Sequence, residues 1–309
     1  MRGMEPRILV GTEGGLRSFG AVEVPADALA GHTVTALAHD GSRTWAIVDG
    51  RTLYASENRR EWTAGAAVEG EHEATCLAPT SRGLFVGTEG AHLHRLQAGR
   101  LSPLDSFETV EGRQTWYTPW GDPADVRSIA AERGAGVAIY VNVHVGGVVR
   151  SHDGGGSWTP TLDIEVDVHQ VLVHPSRRGV VLVAAAHGLG VSRDSGASWD
   201  FATSGLHGSY LRAVAVAGDT VLVTASTGPG GSRAAVYRRP LDGAADFERC
   251  ARGLPEWFRG NIDTACLVAD GDVVVFGTAD GRVFHSRDGG VSWELVAKGL
   301  PAIHCLVVG

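Results

Sequence analysis

The sequence predicts an all-β fold: a single β-propeller domain over residues 1–309, with seven blades. Three observations lead to this prediction, namely a motif repeated at blade-sized spacing, short β-rich segments between glycine turns, and a lack of long helical periodicity. The 309 residues include 43 Gly, about twice the ordinary share, which suits a chain with many tight turns. Six or eight blades stay open as alternatives, because two of the units lack the motif.

The repeated motif has the pattern S-x-D-x-G-x-S-W and occurs in three good copies. The copies are Ser151–Trp158, Ser192–Trp199 and Ser286–Trp293. Their aspartates lie 41 and 94 residues apart, and 94 is twice 47. A period of about 40–50 residues is the length of one four-stranded propeller blade. A shortened fourth copy runs from Ser56 to Trp62.

Each blade is expected to begin with a strand that faces the central channel. The predicted first strands start at Val34, Ala74, Val126, Val168, Leu211, Thr264 and Ile303. The N-terminal segment RILVGTEGGLRSFGAVEV supplies three strands that lack a first strand of their own. We therefore expect the N-terminal strands and the C-terminal strand to complete one blade together, which leaves no open sheet edge.

The pattern S-x-D-x-G-x-x-W resembles the Asp-box, or BNR repeat, of sialidase-like propellers, from about Val126 to Gly309. The resemblance implies a propeller fold and structural roles for the motif's Asp and Trp residues. It does not imply an activity, because that family includes sialidases, other glycoside hydrolases, photosystem assembly factors and receptor ectodomains.

Candidate functional residues occupy the second position of the predicted first strands, near the channel entrance. These residues are Thr35, Thr75, Arg127, His169, Arg212, Ala265 and His304. We expect Arg127 and Arg212 to hold an anionic ligand, and His169 and His304 to act as acid, base or metal ligands. The alternative is a structural ring, in which nearby carboxylates such as Asp125, Asp167 and Asp263 pair with these side chains.

Two further histidines lie in the turns between second and third strands. His144 and His187 belong to neighbouring blades, and His169 begins the second of those blades. The three could form a three-histidine site for a divalent metal with open coordination positions. Two other interpretations stay open: histidines satisfied by their own turns, and an acid/base pair without metal.

Aromatic residues are concentrated in loops that lead into first strands. Trp116, Tyr117 and Trp120 share the longest loop, while Tyr210 and Trp257 lie in two others. Such residues predict a platform or lid over a ligand. Alternatively, they fold down and close the channel.

Composition narrows the function classes. The net charge of −8 argues against nucleic acid or an anionic membrane as a partner. The N-terminal residues lack the apolar core of a signal peptide, so we expect the cytoplasm. The favoured function is a hydrolase or lyase for an anionic or carbohydrate-like small molecule, and the alternative is a protein-binding or assembly scaffold.

Overall fold

The computed structural model describes residues 6–20, 25, 28–118, 120–132, 134 and 138–309. Within these residues, seven antiparallel sheets form the blades of a ring, which confirms the predicted seven-bladed propeller. The chain opens with β1 (Ile8–Thr12) and β2 (Gly15–Phe19). These two strands belong to the blade that the C-terminus completes.

Six four-stranded blades follow in chain order. Blade 1 contains β3 Val34–His39, β4 Thr44–Val48, β5 Thr52–Ser56 and β6 Thr63–Ala67. Blade 2 contains β7 Ala74–Thr80, β8 Gly83–Thr88, β9 Leu93–Gln97 and β10 Arg100–Pro103. Blade 3 contains β11 Val126–Ala131, β12 Ile139–Val143, β13 Gly147–Ser151 and β14 Thr159–Leu162.

The second half of the ring repeats this order. Blade 4 contains β15 Val168–Val173, β16 Val181–Ala185, β17 Gly188–Ser192 and β18 Asp200–Ala202. Blade 5 contains β19 Tyr210–Ala217, β20 Thr220–Ser226, β21 Ala235–Pro240 and β22 Glu248–Arg249. Blade 6 contains β23 Leu267–Asp270, β24 Val273–Gly277, β25 Val283–Ser286 and β26 Glu294–Ala297, and β27 Ile303–Val308 follows. The short helices are α1 Asp105–Glu108 and the 3-10 turns Glu89–Ala91, Arg113–Thr115 and Ile164–Val166.

The predicted closure between the chain ends is confirmed. Strand β27 pairs antiparallel with β1, with Val10 opposite Leu306, and β1 pairs with β2. All of β1 is buried. The third predicted N-terminal strand, at residues 21–24, lies outside the described residues.

Hydrophobic cores lie between neighbouring blades. One core joins Phe85 and Leu93 of blade 2 to Val126, Ile139 and Val149 of blade 3. Because a blade packs on both faces, its second strand can be a continuous apolar run, as in β16, which is buried at every position. Within the described residues, no helix is long and apolar enough to span a membrane.

The repeated S-x-D motif forms the turn between third and fourth strands. In the second copy, Ser192 Oγ and Ser198 N each donate to Asp194 Oδ1 at 2.8 Å, and Ser198 Oγ donates to Oδ2 at 2.6 Å. Asp153 and Asp288 accept the same bonds in their copies. The carboxylate therefore acts as the hub of a turn, and the contacts agree with a structural role.

Three cysteines lie at the third position of the predicted first strands and contact the next blade. The thiols of Cys76, Cys266 and Cys305 each donate to a backbone carbonyl that begins the neighbouring innermost strand. Burial raises their pKa values, that of Cys76 to about 12. They are therefore protonated packing residues.

Candidate functional site

The innermost strands enclose a central channel with a cavity of about 1060 Å³. Its interior is lined by Leu37, Leu77, Ile129 and Val171, which occupy the fourth position of their strands. The end at which the innermost strands begin is called the channel mouth below. Its side chains are polar.

A repeated backbone feature presents side chains at the channel mouth. In six of the described innermost pairings, the register shifts at the second residue of the predicted first strand. The skipped residues are Thr35, Thr75, Arg127, His169, Arg212 with Ala213, and His304. A β-bulge leaves its extra residue unpaired and redirects the side chain. Thr35, Thr75, Arg127 and His304 indeed line the cavity.

Blade 6 departs from the predicted pattern at this position. Its strand β23 begins at Leu267 and not at the predicted Thr264. The preceding residues form a turn instead, in which Cys266 N donates to Asp263 O at 3.0 Å and Ala265 is left-handed at φ 62°. The turn places the Asp263 carboxylate at the channel mouth, where it lines the cavity.

Arg127 and Arg212, the arginine pair, share this single carboxylate. Arg127 Nη2 lies 3.2 Å and Arg212 Nη1 lies 3.3 Å from the same atom, Asp263 Oδ1. The arginine side chains are only 20% and 15% exposed. Burial raises the pKa of Asp263, but the two guanidinium groups outweigh that effect and hold it below its usual value. The pairing that we considered as the structural alternative therefore exists, with one ion-paired carboxylate for two guanidinium groups, while Asp125 interacts with Arg127 at longer range.

A second polar group at the channel mouth comprises His144, Asp167 and His169, called the histidine–carboxylate cluster below. His144 Nε2 lies 3.4 Å from Asp167 Oδ1, and His169 Nε2 lies 3.5 Å from Asp167 Oδ2. Both distances exceed those of ordinary hydrogen bonds. The other ring nitrogen of His169, Nδ1, lies 2.5 Å from the Leu211 carbonyl oxygen.

Local backbone structure brings the cluster together. His144 is in the turn between β12 and β13, where its N–H bonds to Asp125 O at 2.8 Å. Asp167 ends the 3-10 turn Ile164–Val166 in a left-handed conformation, φ 49°. Aspartate tolerates this conformation better than most residues, and strained backbone of this kind is frequent at functional sites.

Electrostatics make Asp167 the charged member of the cluster. Burial raises its pKa, but the neighbouring His144 and His169 rings outweigh burial and hold it well below the usual range. Burial lowers the pKa of His169, although Asp167 partly opposes this. Near neutral pH, the cluster thus contains a carboxylate beside a neutral, fully buried imidazole.

The structure corrects two of the predicted histidine roles. His187 does not join the cluster: it is exposed, its Nδ1 lies 3.2 Å from Val166 O, and Asp167 takes its predicted place. His169 is 0% exposed, so its side chain does not contact a substrate as acid or base, and its remaining predicted role is that of a metal ligand. His304 lines the cavity as predicted, with its Nε2 3.9 Å from Glu13 Oε1.

The predicted aromatic platform is smaller than expected. Trp120 lies 5.4 Å from the His144 ring and Tyr210 lies 4.6 Å from the His169 ring, measured between centroids. Trp120 and Tyr117 are exposed, at 61% and 60%. The other two pack elsewhere: Trp116 rests on Phe107 and Arg113, and Trp257 lies between Arg233, Arg249 and His207.

Tyr210 connects the two polar groups. The Arg212 guanidinium carbon lies 5.2 Å above its ring, and His169 lies on the same ring. Burial raises the pKa of Tyr210, while the arginine pair lowers it and Asp167 raises it. The phenol is therefore within electrostatic reach of both groups, which makes them parts of one site.

Asp167 is the functional candidate that sequence reasoning treated only as a counter-charge. A signal for it exists, because an aspartate stands two residues before the ring position in three blades. The triplets are Asp125-Val126-Arg127, Asp167-Val168-His169 and Asp263-Thr264-Ala265. In the structure Asp125 and Asp263 line the cavity, and Asp167 lies beside His144 and His169.

No protein-family model and no curated protein sequence matches the chain. Solved structures do match it in fold. A catalytically inactive His-to-Ala variant of virginiamycin B lyase from Staphylococcus aureus, with quinupristin, has a TM-score of 0.63 at 10% identity, covering 87% of this chain and 88% of that one.

Two other solved structures represent different functions. YCF48 bound to D1 peptide has a TM-score of 0.56 at 13% identity and covers 99% of this chain and 88% of that chain. An ancestral GH74 enzyme has a TM-score of 0.61 at 13% identity and covers 100% of this chain and 40% of that chain. At these identities the likeness shows the propeller fold, which serves both enzymes and protein-binding proteins.

Proposed function

We propose that the protein is an enzyme, a hydrolase or lyase, that binds an anionic or sugar-like small molecule at the channel mouth. The main support for this proposal is the arginine pair, in which two largely buried guanidinium groups share one oxygen of Asp263. Buried cations are costly unless they are well paired. A carboxylate, sulfate or phosphate group of a ligand would give the two guanidinium groups a second ion-paired anion beside Asp263.

The same geometry supports a role for the arginine pair in catalysis. In a lyase reaction, a base removes a proton from the carbon next to the bound carboxylate, and the electron pair then expels a leaving group from the adjacent carbon. Guanidinium groups stabilise the enolate-like charge that develops. The partly exposed His304 imidazole lines the same cavity and is our candidate base. In a hydrolase it would take a proton from water instead.

Ligand-dependent melting of the protein tests this proposal. A panel of mono- and dicarboxylates, sulfate and phosphate should contain an anion that raises the melting temperature of the parent protein. Arg127→Ala and Arg212→Ala should each weaken its binding by roughly 10- to 150-fold, the equivalent of about 1.5–3 kcal/mol for a charge-assisted hydrogen bond. Arg193→Ala is the matched control, since Arg193 shares an exposed carboxylate, Asp242, outside the channel.

The outcome separates the enzyme from a structural ring. Weakened binding in both channel variants, with the control unchanged, supports the proposal. Strong destabilisation of both variants, together with a parent protein that no anion stabilises, would contradict it.

A protein-binding scaffold is the second candidate function. The observation that favours it is two exposed aromatic side chains in one loop, Tyr117 and Trp120, of which Trp120 lies beside the His144 ring at the channel mouth. Such residues are enriched at protein interfaces. An aromatic patch could bind a peptide without using the arginine pair, so Tyr117→Ala would then impair binding while Arg127→Ala would not.

We also propose that the chain belongs to the Asp-box propellers. The three good motif copies support this, because each aspartate receives the same hydrogen bonds from the first and last serine of its turn. The shortened copy keeps part of the arrangement, because Asn58 Oδ1 accepts from Ser56 Oγ at 3.3 Å and from Glu61 N at 2.9 Å.

A further inference from the structure

The histidine–carboxylate cluster has the spacing of a metal site. The ligand atoms of His144, Asp167 and His169 all lie within 4.8 Å of one another. Bond lengths of about 2.0–2.1 Å and a tetrahedral angle place neighbouring ligand atoms roughly 3.3–3.4 Å apart. The observed separations of 3.4 and 3.5 Å between Asp167 oxygens and the two Nε2 atoms agree with that value.

The orientation of His169 leaves a lone pair directed at the carboxylate. Its Nδ1 lies 2.5 Å from Leu211 O, so Nδ1 carries the hydrogen and Nε2 is an acceptor in the neutral ring. A second-sphere carbonyl of this kind is how metal-ligating histidines are usually oriented. His169 Nε2 and Asp167 Oδ1 are buried, and neither has a hydrogen-bond partner within the described ranges. His169 Nε2 faces Asp167 Oδ2, and Asp167 Oδ1 faces His144 Nε2, so a cation held between the three side chains would satisfy both unpartnered acceptors.

We propose that His144, Asp167 and His169 bind a divalent transition-metal ion of the Zn²⁺ or Fe²⁺ class. Two imidazoles and one carboxylate suit these ions, whereas Mg²⁺ and Ca²⁺ prefer oxygen ligands throughout. His169 is fully buried, while His144 and Asp167 are 13% and 32% exposed. Because two of the three ligands are solvent-accessible and His144 lines the cavity, we expect the remaining coordination positions to be open to water or a ligand.

The metal site deepens the proposed function but does not depend on it. A metal at this position would lie beside Tyr210 and near the arginine pair, where it could polarise a bound carbonyl or activate water. Metal binding can be measured without any substrate, so the two proposals can fail separately.

The test uses full-length protein without a histidine tag, stripped with a chelator and then titrated with Zn²⁺ or Co²⁺. We expect saturable binding of one equivalent, a rise in melting temperature with Zn²⁺, and visible absorption bands of protein-bound Co²⁺. Asp167→Asn preserves size and tolerates the left-handed backbone, and His144→Ala removes the more exposed imidazole. Because second-sphere changes alone weaken metal binding by about 10- to 100-fold, each variant should lose at least that much.

His187→Ala is the matched control, since His187 lies in the equivalent turn of the next blade but outside the cluster. Affinity that falls in both cluster variants and is unchanged in the control supports the site. Two results would overturn it: no saturable binding to the parent protein, or parent-like affinity in Asp167→Asn and His144→Ala. Melting without metal verifies that each variant is folded. If Arg127→Ala binds Zn²⁺ with the affinity of the parent protein, the metal site is independent of the proposed anion site.

Discussion

At the residue scale, one backbone irregularity decides which side chains face the channel. The second residue of an innermost strand is skipped by the pairing, so its side chain is redirected without breaking the blade. Threonine occupies this position in blades 1 and 2, and the Thr75 hydroxyl donates a hydrogen bond to Val126 O in the next blade. Since a neutral residue satisfies the fold, Arg127 and Arg212 are not required there for packing.

The motif aspartates give a residue-scale prediction for acid stability. The Ser198 hydroxyl, then the Ser198 N–H and the Ser192 hydroxyl, lower the pKa of Asp194 from 3.8 to about 2. A lowered folded-state pKa stabilises the protein above the unfolded value, and this stabilisation is lost as pH falls toward 2. The stability difference between the parent and Asp194→Asn should therefore be largest above pH 4 and shrink below it.

Urea midpoints measured from pH 6 to pH 2 would show this trend. Asp200→Asn is the control, because Asp200 is an exposed aspartate in the next strand. A stability difference for Asp194→Asn that does not change with pH would contradict a charged turn hub.

At the element scale, strands and their closure could be predicted, whereas side-chain pairing across blades could not. The period of the motif predicted the length of a blade. The β-rich segments predicted where the innermost strands begin, except in blade 6. There the turn from Asp263 to Cys266 replaced the start of a strand, which no local apolar pattern distinguishes. The third member of the histidine cluster was missed for a similar reason. The backbone bond from Ala186 N to Asp167 O brings the segments that contain His187 and Asp167 close together. The backbone conformation then determines that the Asp167 side chain, and not that of His187, joins the cluster.

Aromatic residues show the same limit at this scale. The sequence placed Trp116, Trp120 and Trp257 in loops that lead to the channel mouth. Of these three, only Trp120 contacts the site. Trp116 packs against Phe107, and Trp257 makes cation–π contacts with two arginines. Other packing sites near the ends of these loops compete with the channel mouth for the aromatic side chains. A sequence pattern does not show which of these sites a side chain occupies.

The closing strand β27 gives an element-scale prediction. It pairs with β1 and contributes the buried Cys305 and Leu306 to the blade. Removal of residues 303–309 should expose the β1 edge and apolar surface, so we expect an aggregating protein. Removal of Gly309 alone is the control and should stay soluble, since it loses only two hydrogen bonds: the one from Arg59 Nη1 to its carbonyl and the one from its N–H to Arg7 O. A soluble 1–302 chain with parent-like melting would contradict closure by β27.

At the scale of the whole molecule, the ring concentrates charge at one end of its channel. Blades 1 and 2 contribute threonines to the mouth, while blades 3 to 6 contribute Arg127, His169, Arg212 and Asp263. The closing blade adds His304, with its Nε2 3.9 Å from Glu13 Oε1. A small molecule bound there would place its anionic end at the arginine pair, consistent with the proposed enzyme.

Asp263→Asn tests this central claim most directly, because it removes the carboxylate that competes with a ligand for both arginines. Melting should be measured for the parent and the variant with increasing sulfate, phosphate and carboxylates. Asp242→Asn is the control, since Asp242 is an exposed carboxylate shared by Arg177 and Arg193. We predict that Asp263→Asn melts below the parent without anion and gains more than the parent or the control at each anion concentration. A variant that is simply less stable, with no anion raising its melting temperature or that of the parent, would contradict an anion site at the channel mouth.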